Sequence, residues 1–467
     1  MSQLQRTARR RVGLTEANYN RTEACGAVAG LAEPGAPEPP PARGRSLPDP
    51  SDKRANPGLI RSPDWANRTL VFLMPPAPTV NITGIAAASA LGDTWADHLR
   101  AMAAGRCGLR PLADHPGPGL EPFAHLHAGW LQDRDAWFRG RRYGAASNAA
   151  VRAASQACLA AGWSASDRAE AWLFGGSSRA NVGELLHVWP SRRPIAKFRA
   201  SNSMHSEVTA AVSIELGLRG PWQMLANGCS AGLDAIGLAW VALRAGVAKR
   251  ALVVSVELPL CHPLLQGFSD TGLLAAADAR NDPFHPECSG FFPAEAVTAM
   301  ALEVGGDPSA PEVLWYGANS DAYDSIALEP NGQQLSQLIH QAQQAATAAE
   351  RSLTTLCPHG NGTQDNRTAE TAAMRSALPQ GPYALHLLKP FVGHPLGASG
   401  SLETALLAAA LRQGNLPHNL PGLTPPGPDL TLPTEPPPIH PDQAVLKWAI
   451  GMGGHNAGLL IGPGKDA

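Results

Sequence analysis

What the sequence lacks narrows its function before any motif is read. Its 37 Lys and Arg residues and 39 Asp and Glu residues leave a formal net charge of −2. The chain as a whole therefore has no attraction to nucleic acid or to an anionic membrane, and an electrostatic partner must meet a local patch. No apolar run reaches the ~18 residues that read as a membrane-spanning helix. The seven cysteines contain no C-x-x-C pair, and nothing resembling a secretory signal precedes them, which leads us to expect a reducing, cytoplasmic setting. Cys357-Pro-His359 has no second half at zinc-like spacing, so no metal is expected. No internal repeat is visible by residue identity, although a duplicated architecture can persist below that level.

What is present is a chain of 467 residues, 44% hydrophobic, enough for two to three average domains or one large double domain with a sizeable core. Residues 1–68 differ from the rest. "RTARRRVGL" is basic and "AEPGAPEPPPARGRSLPDPSDKRANPG" is rich in proline, glycine and charge, a composition that cannot offset its ordering entropy and is expected to be disordered. From "TLVFLMPP" onward, short β-branched runs alternate with Ala-rich helical patterns, which indicates an α/β architecture.

The stretch "NGCSAGLDA" places Cys229 and Ser230 side by side at a strand-to-helix turn. Gly228 to Gly232 fits the G-x-S-x-G elbow of a hydrolase with Ser230 as nucleophile. One residue earlier, Cys229 precedes a helix whose dipole favours a thiolate. A small-residue turn with a buried cysteine fits equally. Leu233, Ile236, Trp240 and Leu243 recur at helical spacing, and "RALVVSVEL" follows as a buried strand. In the second half "GQQLSQLIHQAQQAATAAERS" and "SLETALLAAALRQG" read as helices and "YALHLLK" as a strand. "AVLKWAI" and "GMGGHNAGLLIG" read as two strands around a Gly-rich turn.

Three further stretches set functional groups among glycines: "PHGNGTQDNRTAE", "LKPFVGHPLGASG" and "GMGGHNAG". Each alone is an ordinary loop. Together with "ITGIAAASALGDTWADHLRAMAAGRCGLRPL" and with "GFFPAEAVTAMALE", which places Glu295, they occur in an order that resembles the β-ketoacyl synthase family of thiolase-fold condensing enzymes, over about residues 78 to 463. Cys229 stands at the family's nucleophile, His359 opens an HGxGT block, Glu370 follows eleven residues later, and Lys389 lies five before His394.

The resemblance implies a thiolase fold: two similar βαβαβαββ halves, here residues 69–305 and 306–467, in a five-layer αβαβα sandwich. It also implies decarboxylative Claisen condensation. Cys229 holds an acyl thioester, and the backbone N–H groups of Cys229 and Met452 form the oxyanion hole. His359 and His394 stabilise the enolate of a malonyl thioester, and Lys389 paired with Glu370 tunes His359. Asn361, Thr363, Met452, Gly453 and His455 are the implied substrate-binding residues. No metal or redox cofactor is implied, since acyl groups arrive on the phosphopantetheine of an acyl carrier protein. The protein is expected to form a homodimer, or a heterodimer with a second ketosynthase-like subunit.

The sequence departs from the family pattern at Asn361 for threonine, Arg367 for aspartate, Met452 for a gating aromatic and His455 for threonine. Met452 is flexible where phenylalanine is rigid, which suggests an atypical acyl chain, longer or unsaturated, as in a polyketide or polyene pathway. Arg192, Arg193, Lys197 and Arg199 offer a basic stretch to an acidic carrier protein; a solvated loop explains them as well. The competing functions are a hydrolase built on Ser230, a thiolase-like acyltransferase using coenzyme A thioesters, and a chain-length subunit of a heterodimer with vestigial catalytic residues.

Overall fold

The computed structural model describes residues 78–140, 142–186, 199–379 and 381–465. The N-terminal extension lies outside the described residues, as do Arg192, Arg193 and Lys197 of the basic stretch; of Arg199 only the backbone is described.

Five strands come from the first half of the described chain: β1 Val80–Ser89, β2 Trp172–Gly176, β3 Trp222–Leu225, β4 Arg250–Glu257 and β5 Ala296–Val304. The second contributes five long or central strands, β6 Glu312–Ser320, β7 Ser352–Cys357, β8 Tyr383–Leu385, β9 Gln443–Gly451 and β10 His455–Gly462, and a two-residue edge strand, Leu430–Thr431, parallel to β8. The first set lies in the order β3-β2-β4-β5-β1 and the second in the order β8-β7-β9-β10-β6. Strand senses match as well. β3, β2 and β4 are mutually parallel, with β5 and β1 antiparallel beyond them. β8, β7 and β9 are likewise parallel, with β10 and β6 antiparallel beyond them. The topology is thus repeated although the residues are not, and the two sets join edge to edge where Asn81 pairs with Glu312.

The layers follow from burial. Helices α1 Ala145–Ala160, α2 Glu207–Leu216, α3 Ala231–Arg244, α4 Gln333–Ala348, α5 Gln364–Ala377 and α6 Ser399–Leu411 fall into three groups. α1 and α2 cover the outer face of the first sheet, α4 and α5 the outer face of the second, and α3 and α6 pack on each other between the sheets. Every residue of α6 is buried, as a helix apolar on all sides requires. β4 is buried from Ala251 to Glu257, which explains its continuous apolar run. Small residues set the layer spacing. Gly84 sits at a register shift of β1, where a Cβ would lie 2.1 Å from the carbonyl oxygen of Ala157 on α1.

That contact is with backbone, which cannot rotate away. Gly84→Ala should therefore lower stability by about 1–3 kcal/mol, read as a lower denaturation midpoint. Gly267→Ala, in a helix with no atom within 4 Å of the new methyl, should leave the midpoint unchanged or raise it.

Candidate functional site

Cys229 lies in a 3-10 turn, Gly228–Ser230, that joins the end of β3 to α3. Gly228 has φ +68°, a left-handed conformation in which a side chain is strained. A Cβ on Gly228 would make only ordinary contact, 3.4 Å from the Met452 nitrogen, so the conformation and not the space is what calls for glycine. On the facing turn between β9 and β10, a Cβ on Gly451 would lie 2.8 Å from the carbonyl oxygen of Asn227 and 3.6 Å from the Cys229 nitrogen. Two glycines thus let the Cys229 turn and the Met452 turn lie directly on one another.

Asp234, one turn into α3, fastens that contact. Its carboxylate accepts hydrogen bonds from the Tyr316 hydroxyl at 2.7 Å, from His455 Nε2 at 3.0 Å and from Asn227 Nδ2. His455, expected to bind substrate, instead ties the Gly-rich turn to the nucleophile helix, and neither it nor Gly453 is among the residues lining the cavity at Cys229. The hydrogen bond to Asp234 raises the His455 pKa. Ser230 is buried and donates its hydroxyl to the Asn227 carbonyl at 2.9 Å, a local bond that uses the proton a hydrolase elbow would pass to histidine.

Cys229, His359 and His394 line one cavity of 270 Å³, with Phe291, Leu396, Asn361, Thr363 and Met452 among its walls. The two imidazoles meet edge to face, ring centroids 5.1 Å apart, and Phe291 packs on His394 at 5.2 Å. Both histidines are buried, yet neither nitrogen of His394 has a hydrogen-bond partner, nor has Nδ1 of His359. Such groups are costly unless a ligand completes them. Burial holds both well below the usual histidine pKa, reinforced by the charge of Lys389, so they are neutral donors at neutral pH. Asn361 accepts from the backbone and hydroxyl of Thr363, each at 2.9 Å, which shapes the wall they share. Met452 is 40% exposed at the cavity, a flexible thioether rather than a ring.

The cations are arranged differently from expectation. Lys389 Nζ bonds Glu403 at 2.8 Å and the His359 carbonyl, whereas Glu370 spends its oxygens elsewhere. Glu370 accepts from the backbone nitrogens of His359 and Gly360 at 2.7 and 2.8 Å and from Trp448 Nε1 at 2.6 Å. The expected Lys389–Glu370 pair is therefore corrected to Lys389–Glu403, with Glu370 as a cap on the His359 turn. Glu403 also pairs with Lys447, which in turn donates to the Pro358 carbonyl at 3.0 Å. The two ammonium groups are driven apart. Burial lowers Lys389, with Glu403 opposing it; Lys447 is as deeply desolvated, but Cys357, Glu403 and Glu370 together carry it above its usual value. Glu403 and Lys447 were visible in the sequence as single charges inside the apolar runs "SLETALLAAAL" and "AVLKWAI".

A second correction concerns Cys229 itself. The helix start led us to expect a thiolate, but burial pushes the thiol up to about 12, with the carboxylate of Glu257 acting in the same direction against Lys389 and Arg179. Glu257 ends β4 and is itself buried.

A doubled five-layer α/β sandwich with a cysteine and two neutral histidines facing one cavity defines a condensing enzyme of thiolase fold. Solved structures agree on the fold. The ishigamide ketosynthase/chain length factor superposes with TM-score 0.72 at 22% identity over 83% of this chain and 99% of that one. A β-ketoacyl synthase from Burkholderia phymatum gives 0.71 at 23% identity, with the same coverage of 83% and 99%. The β-ketoacyl synthase N-terminal domain model matches residues 77–305 and the C-terminal domain model residues 311–422. The chain belongs to the β-ketoacyl synthase family. Among curated relatives it is 26% identical to 3-oxoacyl-acyl-carrier-protein synthase 2 of Staphylococcus aureus, over 81% of this chain and all of the relative. It is 28% identical to the tetracenomycin polyketide synthase ketoacyl synthase alpha subunit of Streptomyces glaucescens, over 56% of this chain and 64% of the relative.

Two outcomes follow from the polar network. Glu403→Ala leaves two buried ammonium groups without their carboxylate and should cost about 3–5 kcal/mol, measured by chemical denaturation. For His455 the folded pKa is raised, so its bond to Asp234 stabilises fully below the unfolded value near 6.5 and fades as pH rises through the folded value. The difference in Tm between wild type and His455→Gln should accordingly be largest at acidic pH and shrink in alkaline buffer.

Proposed function

We propose that this protein is a working β-ketoacyl synthase: Cys229 accepts an acyl group, a malonyl-carrier thioester is decarboxylated, and a 3-oxoacyl-carrier product leaves. The observation that carries this is the shared cavity of Cys229 with two neutral, hydrogen-bond-starved histidines. The Cys229 sulfur attacks the acyl thioester carbonyl, and its proton leaves with the departing carrier thiol. The transient oxyanion lies at the contact of the two turns, where the N–H groups of Cys229 and Met452 serve as donors. In the second half-reaction the malonyl carboxylate departs as carbon dioxide, and the electron pair it leaves becomes an enolate whose oxygen accepts from His359 and His394. The enolate carbon then attacks the acyl carbonyl and expels the Cys229 thiolate, which takes up a proton from solvent to restore the resting thiol.

Lys389 contributes as a positioning group, since its protons are committed to Glu403 and the His359 carbonyl. Its charge also keeps both imidazoles unprotonated, which is the form a neutral donor needs. Glu370 holds the His359–Gly360 backbone. The exposed thioether of Met452 and the Asn361–Thr363 wall support an atypical acyl chain carried on phosphopantetheine. A solved relative is described as an acyl-carrier protein in complex with its ketosynthase, and another as a ketosynthase/chain length factor. These support an acyl carrier protein as partner and assembly as a dimer with a like or related subunit. The described cysteines are free thiols, which suits a cytoplasmic setting, and among the described residues no helix is long and apolar enough to cross a membrane.

The test is intact mass of purified protein and of carrier products after incubation with an acyl-carrier and a malonyl-carrier thioester. An acyl adduct on Cys229 and a 3-oxoacyl-carrier product are expected. Cys229→Ala should lose the adduct. His394→Ala should keep it while product formation falls by about 10²–10⁴-fold. An unmodified wild-type Cys229, with condensation only after a second ketosynthase is added, would overturn the reading in favour of a chain-length subunit.

A further inference from the structure

Glu257 is a fully buried carboxylate at the end of β4 that the condensation chemistry does not use. It accepts three backbone hydrogen bonds from two separate loops: from Ser178 N at 2.6 Å, Arg179 N at 3.0 Å and Gly397 N at 3.0 Å. Gly397 follows Leu396, which adopts φ +35°, a left-handed conformation that is strained for a residue with a side chain. The Leu396 side chain packs with Phe268 and Phe291 against Cys229, so this strained turn forms part of the cavity wall. There is no slack around it. A Cβ on Gly397 would lie 2.3 Å from Ser178 N and 2.7 Å from Glu257 Oε2, and one on Gly232, in the nucleophile helix, 2.7 Å from the Gly397 carbonyl oxygen. At its other end the loop is pinned by His394 N donating to the Phe292 carbonyl at 2.7 Å.

We propose that Glu257 is a positioning residue of this site: its carboxylate clamps the His394–Gly397 loop onto the Ser178–Arg179 turn, holds Leu396 in its strained conformation, and sets a buried negative charge within reach of Cys229. The inference rests on the condensing function proposed above. The clamp fixes where His394 and Leu396 stand relative to the sulfur. Burial is the main cause that keeps the thiol protonated; above the Glu257 pKa, itself pushed up by burial to about 7, the carboxylate charge adds to that effect. Arg179, Lys389 and Cys229 are the charged or titratable groups in electrostatic contact across this wall, the two cations acting on Cys229 against Glu257.

Two variants separate position from charge. Glu257→Gln removes the charge and turns an N–H₂ group toward N–H donors. Glu257→Asp keeps the charge but, shorter by one methylene, cannot reach all three nitrogens. Alkylation of Cys229 by iodoacetamide as a function of pH, followed by mass mapping of the peptide that carries Cys229, needs no substrate and is independent of whether the condensing reaction has been assigned correctly. With Glu257→Gln its rate at pH 8 should rise about threefold or more as the thiol titrates lower; with Glu257→Asp the pH profile should stay that of wild type. In the condensation assay both should lower kcat by about 10- to 100-fold, with KM for the malonyl carrier within about twofold of wild type, as expected when a reacting group is displaced. If Glu257→Gln does not fold, Glu257→Asp decides: a wild-type kcat overturns the clamp. A Glu257→Gln protein that folds and shows the wild-type alkylation profile overturns the electrostatic role, and one with wild-type kcat overturns the clamp.

Discussion

The two bonds that Glu403 makes, to Lys389 and to Lys447, hold the rest of the site in place. One carboxylate on the central helix α6 meets an ammonium from the turn that leads to His394 and another from the middle of β9. Each ammonium then grips a carbonyl at the end of β7, Lys389 that of His359 and Lys447 that of Pro358. Three segments distant in sequence are thereby fixed around one histidine. Buried ion pairs are weak contributors to net stability, because desolvation consumes most of the Coulombic gain. Their effect here is on geometry: each ammonium bridges Glu403 and one backbone carbonyl, which fixes the Pro358–His359 backbone against α6.

The doubled sheet explains why a cysteine from one half reaches histidines from the other. The Cys229 turn of the first half touches the Leu396–Ala398 turn and β9 of the second, while α3 and α6 pack on each other. Cys229 follows β3, His359 follows β7, and His394 follows the turn beyond β8. Neither half holds the full set. At the site they meet through a glycine contact: Gly451 lets its backbone approach the Asn227 carbonyl where a Cβ would lie only 2.8 Å away.

Much of this was legible from residue type and order. The α/β alternation, the Cys229 turn, the two histidine blocks and the Gly-rich turn stood out because each breaks a local rule: glycine where a helix begins, histidine among small residues. What escaped were partners. Sequence spacing placed Glu370 near His359 but could not say which carboxylate Lys389 meets, since that depends on α6 crossing behind the turn. Glu403 and Lys447 each sat as a lone charge in an apolar run, a pattern that signals a buried pair only when the two runs are brought together. His455 read as a wall residue because Asp234, which holds it, comes from the other half of the chain. The state of Cys229 was misjudged for a similar reason. A helix start is a local feature, while burial and the Glu257 carboxylate are properties of the assembled fold.

These buried charges share one consequence for the chemistry. Burial is the main cause that keeps the two histidines and the cysteine neutral, and the charges of Lys389 and Lys447 on the histidines and of Glu257 on the cysteine act in the same direction. The three reacting side chains, Cys229, His359 and His394, are thus neutral at rest, although charged groups stand behind them. During reaction negative charge develops on the thioester oxyanion and then on the enolate oxygen. At that moment the fixed imidazole and backbone donors, with two cations behind them, act in a medium of low dielectric, where their effect is largest. A thiolate or an imidazolium present beforehand would already have drawn counter-charges and water into the site. The neutral resting state leaves the donors unspent for the transition state, as differential stabilisation of the reaction requires.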